Sequence, residues 1–417
     1  MKKIIAALTI LMAAMSGYAQ DYVITAYGAS TDSTKLNTTA IQATIDLAAE
    51  KGGGTVVIPK GTFLSGALFF KPHTNLRLSE GAVLKGSDNI DNYPLIPSRM
   101  EGQSLMYYAA LINAYHVDGF NIEGPGTING NGLKYWTTFW AHRDSMKKIG
   151  KSSTNLEVHR PRLVFIWGCN DVVIHGAKLY NSGFWTTHLY QCRNVRIEDC
   201  SIVAPLKPIP APSSDGIDLD VCRKVVIRNC YISVSDDGVC MKGGKGPDAH
   251  LRPEDGIVED VLVENCRFGP VPSALTMGSE CVHAKNIVMR NCTMDNNGAV
   301  LRLKMRGDTH QLYEDITVDH ITGSCGTVIA MSPWTQFFDL KGTTEKPFGI
   351  VRNITVSNVT VSCRSLGQLK GNANDQVSNI TLKNINATAK DNNFLNIYDK
   401  VTLDNVLVNG ATPVITK

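Results

Sequence analysis

The sequence predicts an all-β chain wound as a single-stranded, right-handed parallel β-helix, and three observations carry that reading. One plan recurs along the chain: alternating β-branched residues, then Asn or Asp, then a small apolar residue. It appears in "VRIEDCSI" from Val195, "VVIRNCYI" from Val225, "VLVENCRF" from Val261 and "IVMRNCTM" from Ile287, and continues through "ITVSNVTV" from Ile354 to "VTLDNVLV" from Val401. From Cys200 to Cys230, Cys266 and Cys292 the plan steps by 30, 36 and 26 residues, an irregular period of solenoid length. Period-two alternation identifies strands. A unit with one short strand per repeat cannot bury its apolar face alone, so successive units stack in parallel.

Taken in order, the first twenty residues read as an export signal: Lys2 and Lys3, an apolar run from Ile4 to Met15, and Gly17-Tyr18-Ala19 as a small-residue cleavage site. The expected mature chain starts near Gln20 or Asp21, in the periplasm or outside the cell. The apolar run is too short to span a bilayer comfortably, and no later segment reads as a transmembrane helix. "LNTTAIQATIDLAAEKGGG" predicts a helix capped at Thr38 or Thr39 and stopped by Gly52 to Gly54, placed to close the open end of the core. "GTVVIP", "GTFLSGALFF" and "NLRLSEGAVLKG" follow as strands and turns. Tyr135 to Arg160 is polar, aromatic and non-repetitive, and predicts a long loop. There Trp136, Phe139 and Trp140 either stack on a sugar or pin the loop to the body. With no linker and no shift of composition, residues 21–417 read as one domain.

Eleven cysteines form an odd set without Cys-x-x-Cys pairs, which argues against a disulfide framework or a zinc site. Cys200, Cys230, Cys266 and Cys292 occupy equivalent repeat positions and are expected to stack as buried free thiols. Asn229, Asn265, Asn291 and Asn358 sit just before the corner, where an amide tolerates unusual dihedrals. A net charge of +3 with scattered Lys and Arg argues against nucleic acid or anionic membrane as partners.

The chemistry concentrates in "SSDGIDLD" (213–220) and "SVSDDGVC" (233–240). Asp215 and Asp236 lie 21 residues apart, about one short coil, so Asp215 is expected beside Asp236 and Asp237 on neighbouring strands about 4.8 Å apart. Glycosidic hydrolysis needs one carboxyl protonated and another ionised, and mutual repulsion raises one pKa. Asp-Gly is also a turn dipeptide, so either motif alone reads as a corner; Asp218 and Asp220 are expected to be structural. The aspartates lack EF-hand spacing, and no metal or cofactor is implied. In "LRLKMRGD", Arg302 and Lys304 are two apart on a strand and leave by one face, which suits a substrate carboxylate. Carboxylate catalysts beside a cationic pair point to an acidic sugar. A polysaccharide lyase and a non-catalytic carbohydrate-binding β-helix stand as alternatives.

At these residues the chain resembles the polygalacturonase family, glycoside hydrolase family 28, whose signatures run Asn-Thr-Asp-Gly, Gly/Gln-Asp-Asp, Gly-His-Gly and Arg-Ile-Lys. "SSDGID", "SDDGVCMKGG" and "RLK" match the first, second and fourth. The resemblance implies a right-handed parallel β-helix and an inverting mechanism on acidic plant cell-wall polysaccharide. It also implies Asp236 as general acid, Asp215 and Asp237 as holders of the attacking water, and Arg302 and Lys304 as carboxylate ligands. Trp185 and His188 in "FWTTH" match a cleft-lining stretch and are expected to touch substrate; Lys242 is expected near the acid. In "PSALTMGSE", Ser273 stands where the family has His, which favours rhamnogalacturonan, with a homogalacturonan exo-galacturonidase as the alternative. Glu280 and His283 could compensate or be structural. The stretches 135–160 and 243–254 are expected to wall one end of the cleft, which implies exo action.

Overall fold

In the computed structural model, which describes residues 20–32, 34–295 and 297–417, parallel strands stack coil upon coil into a β-helix. The sequence reading of one strand per repeat is corrected to three. A typical coil runs Thr187–Tyr190, Arg193–Glu198 and Ser201–Val203, each paired in register with the next coil. The recurring plan spans two of these strands, and its Asn or Asp is the corner between them. Asn229, Asn265, Asn291 and Asn358 adopt φ of 56°, 56°, 54° and 54°, left-handed values that an Asn accepts more readily than most side chains. Their amides also continue between coils: Asn358 donates to Asp319 at 2.7 Å and Asn384 donates to Asn358 at 3.2 Å.

The alternate residues that face inward form one continuous core, including Val195, Ile197, Val225, Ile227, Val261 and Val263. Cys200, Cys230, Cys266 and Cys292 stack within it as free, buried thiols, as expected. A second file, Cys169, Cys192 and Cys222, runs along another edge of the same coils.

Helix α1 (Thr38–Glu50) turns Ile41, Thr44, Ile45 and Ala48 onto the first coils. It begins one residue after Asn37, whose side chain makes no capping bond; the expected Thr cap instead ties the helix to the body, Thr38 Oγ1 accepting from Gly66 N at 2.7 Å. At its end Gly53 has φ 118°, and a Cβ there would lie 2.7 Å from the His73 carbonyl oxygen, so glycine is required.

The expected long loop is corrected by helix α2 (Leu133–Lys148). Tyr135, Trp136 and Phe139 are buried on its inner side, and Trp136 Nε1 donates to Ser182 O at 2.9 Å. Trp140 Nε1 donates to Pro210 O at 2.8 Å, so these aromatics pin the insertion to the body. An antiparallel hairpin, Leu95–Met100 with Gln103–Tyr108, also leaves the solenoid. Its buried Arg99 reaches Asp220 at 3.1 Å and Asp255 at 2.5 Å.

The face that matters for function is a sheet of twelve parallel strands. Its central strands are β1 (Thr187–Tyr190), β2 (Ile217–Asp220), β3 (Val239–Lys242), β4 (Ser273–Met277), β5 (Ala299–Arg306), β6 (Thr327–Trp334), β7 (Ser365–Leu369) and β8 (Asn393–Asn396). Residues 1–19, with most of the expected export signal, lie outside the described residues. Among the described residues no helix is long and apolar enough to cross a membrane.

Candidate active site

The corner that leads into this sheet carries the aspartates. Gly216 N donates to Asp237 O at 2.9 Å and Gly238 N donates to Ser273 O at 2.7 Å, so Asp215, Asp237 and Ser273 occupy one position on three successive coils. Carboxylate oxygens of Asp215 and Asp237 lie within 4.8 Å of each other. Asp236 is half-buried on the same turn, its Oδ1 accepting from Asp237 N at 3.0 Å. Asp215, Asp236, Lys242, Arg302 and Lys304 line a single cavity of about 160 Å³. The expected constellation is therefore assembled across four successive coils, those of β2 to β5, with Asp237 just behind the cavity lining.

Its charges are sorted by neighbours. Burial and the charges of Asp215 and Asp237 push Asp236 up to about 7. Asp237 is also buried, but Lys304, in direct contact through its ammonium, and Arg302 hold it below the usual carboxylate range. Asp237 Oδ2 takes the Lys304 bond while Oδ1 has no hydrogen-bond partner. Burial and Asp218 raise Asp215 well above its ordinary value against the pull of Lys242. Lys242 Nζ lies 3.2 Å from Glu280, 3.5 Å from Asp215 and 3.8 Å from Asp218. Burial likewise raises Asp218, to about 7; it is fully buried beneath Lys242 and does not line the cavity, in keeping with the structural reading. Asp220 fits the structural reading: burial is outweighed by Arg99 and His188, which keep it ionised.

The structure divides the Arg302 and Lys304 pair. Both project from β5, yet Lys304 is buried against Asp237, whereas Arg302 is half-buried, makes no ion pair among the described residues and borders the cavity. Trp185 lines the cavity with Lys242 Nζ 4.8 Å above its ring. His188 is a correction to the expected substrate contact. It is fully buried, stacked on Phe165 at 4.9 Å with Trp185 edge-on at 4.9 Å. Arg162 donates to its Nδ1 at 2.8 Å, so the ring proton sits on Nε2 and points at Asp220, 3.4 Å away. Burial and Arg162 lower its pKa to about 4, leaving a neutral prop beneath Trp185. Ser273 is buried and its hydroxyl donates to Leu275 O at 3.2 Å. Glu280 enters the cavity, while His283 pairs with Glu314 at 3.0 Å and does not line it.

Asn155, after α2, lies in the 135–160 stretch expected to wall the cleft; the walls that sequence reasoning missed are Glu101 at the tip of the 95–108 hairpin and Trp334 and Gln336 at the end of β6. Asn155 Nδ2 donates to Glu101 at 2.8 Å, joining hairpin to insertion. Gly102 packs so closely on Glu280 and Gly244 that a Cβ would lie 2.8 Å and 2.9 Å from them. These contacts close one end of the cavity. Asp215, Asp237 and Cys240 bring a ligand atom each within 4.8 Å of one another, but the ammonium groups of Lys304, bonded to Asp237, and Lys242, 3.5 Å from Asp215, stand beside them, which does not suit a cation.

A parallel β-helix with carboxylates and cations gathered at one cavity is the architecture in hand, and comparison gives the family. Residues 50–403 match glycosyl hydrolases family 28, and the chain belongs to that family. A probable polygalacturonase of Vitis vinifera is 32% identical over 227 residues, covering 52% of this chain and 43% of the relative. An exo-poly-alpha-D-galacturonosidase of Dickeya chrysanthemi is 26% identical over 320 residues, covering 67% and 51%. The chain thus spans about half the length of these relatives. The exopolygalacturonase of Thermotoga maritima shares the fold, with a TM-score of 0.75 at 21% identity over 94% of this chain and 92% of that one.

Proposed function

We propose that this protein is an exo-acting, inverting hydrolase that removes galacturonic acid from the end of a pectic chain. The observation that carries the reading is geometric: Asp215 and Asp236 line one cavity with Arg302 and Lys304, and buried Asp237 lies behind them, bonded to Lys304 and with a carboxylate oxygen within 4.8 Å of Asp215. Asp236 keeps a proton near neutrality and is assigned as general acid to the leaving oxygen. Asp237 stays ionised, and its unpaired Oδ1 is assigned the proton of the attacking water; Asp215 holds that water. Arg302 supplies the free guanidinium for a uronate carboxylate, and Lys304 keeps Asp237 charged. A cavity of about 160 Å³ falls below the roughly 300–1,000 Å³ of drug-sized sites, which suits one sugar and not a chain. The relatives' names support polygalacturonate ends as substrate. Rhamnogalacturonan is the second reading, favoured by Ser273, whose hydroxyl is spent on the backbone where the family has an imidazole. The lysines and apolar run of residues 2–15 support export to the periplasm or beyond.

The test is product analysis on defined oligogalacturonides and rhamnogalacturonan oligomers. Saturated monogalacturonate released stepwise is expected, with Asp236→Asn slower by about 10²–10⁴-fold. Unsaturated products absorbing in the near ultraviolet would identify a lyase. An early mixture of internal fragments would overturn exo action, and release from rhamnogalacturonan oligomers alone would select the second reading.

A further inference from the structure

We propose that a cationic track carried by Arg364 and Lys390 extends the site past the catalytic pocket and binds the departing polyuronate chain, so that longer acidic substrates are preferred. The inference rests on the galacturonide reading above and names the binding surface that reading leaves open.

Three cavities adjoin along one corner of the solenoid. The catalytic pocket shares Arg302 with a cavity of about 540 Å³. That cavity in turn shares Asn297, Ser324 and Arg364 with one of about 430 Å³, bordered further on by Lys390. With the pocket closed on the side of the 95–108 hairpin, the remaining chain has this direction in which to leave. Arg302 stands on β5, Arg364 immediately before β7, and Lys390 just ahead of β8. Since β5 pairs with β6, β6 with β7 and β7 with β8, the guanidiniums are two coils apart and the ammonium follows one coil later. Coils rise by about 4.8 Å, comparable with one pyranose, so a chain along the axis passes roughly one sugar per coil. Its carboxylates then meet Arg302 first and Arg364 and Lys390 further out.

The charges on this track are available. Arg364 and Lys390 are exposed, and neither forms an ion pair among the described residues. The acid that borders the middle cavity, Asp295, is bound by Arg267 at 2.9 Å and does not occupy Arg364. In register Arg302 stands level with Gln368, four residues along the strand from Arg364, so the track runs obliquely from the pocket toward the corner. Free cations beside a groove attract a polyanion, and screen with salt.

The experiment compares kcat/KM for hexagalacturonate and digalacturonate, the second too short to reach Arg364. Wild type, the Arg364→Gln/Lys390→Gln double variant and Lys178→Gln, an exposed cation that borders none of the three cavities, are measured at low and moderate salt. Two exposed contacts, each worth a factor of a few, are expected to lower the hexamer-to-dimer ratio by about tenfold in the double variant and not in Lys178→Gln. Rising salt lowers the ratio in wild type. An equal ratio in all three proteins, or an equal fall in both variants, overturns the track while leaving the pocket reading intact. A wild type that releases nothing from either oligomer overturns the functional reading, and the track with it.

Discussion

Asp236 and Asp237 are neighbours in sequence, yet burial with the charges of Asp215 and Asp237 raises the first, while contact with Lys304 lowers the second. Lys304 touches Asp237 and stands further from Asp236, so it depresses the first strongly and the second only in part. The activity expected from this sorting is a bell in pH. It falls on the alkaline side as Asp236 loses its proton near pH 7, and on the acid side as Asp237 gains one below the ordinary carboxylate range. Lys304→Gln removes a positive charge that lowers both groups, so both limbs of the kcat/KM profile move to higher pH. An unmoved acid limb would show that Lys304 does not set the base. This division of labour was not legible in the sequence. "RLK" indicates two cations on one face, but Lys304 meets Asp237 across 67 residues of chain, and coil register decides that meeting.

At the scale of elements, alternation of β-branched residues was enough to read the strands, and the recurring Asn and Cys marked the corner. The hairpin and α2 escaped because neither repeats. "LIPSRMEGQSLMYY" lacks strict alternation, and its anchor, Arg99, finds Asp220 and Asp255 only once distant coils stack. For α2 the signal was present, since Tyr135 with Phe139 and Trp136 with Trp140 stand four apart, one helical turn. The cysteine files were half legible: one was visible in the repeat, while Cys169, Cys192 and Cys222 lie in "GCND", "QCRN" and "VCRK", outside the segments compared. Their environment makes a direct prediction. Ten of the eleven cysteines are buried and Cys363 is half-buried, all of them as free thiols. An aromatic disulfide reagent should therefore titrate about one thiol in the native protein and all eleven after denaturation. Fewer than eleven in denaturant without reductant would reveal disulfides.

The whole molecule is quasi-one-dimensional: each coil is stabilised by its two neighbours, so an end without a neighbour is where apolar surface meets water. Helix α1 serves that end, and its sequence was readable because a stripe at Ile41, Ile45 and Ala48 followed by Gly52 to Gly54 has no strand interpretation. Its energetic role reaches beyond its own contacts, since opening the first coil exposes the second. Ile45 is fully buried, and Ile45→Ala should cost about 2–5 kcal/mol by lost transfer and cavity terms. Ile45→Asp should cost more, by placing an unpaired carboxylate against the core. Because the aspartate cluster lies several coils away, the alanine variant is expected to keep its specificity constant at moderate temperature while its Tm falls. The aspartate variant should expose the first coils, bind a hydrophobic dye and aggregate through their free apolar ends. Thermal unfolding, light scattering and kcat/KM on the same preparations check this. An Ile45→Asp protein that stays monomeric with an unchanged Tm would show that the first coil closes the core without α1.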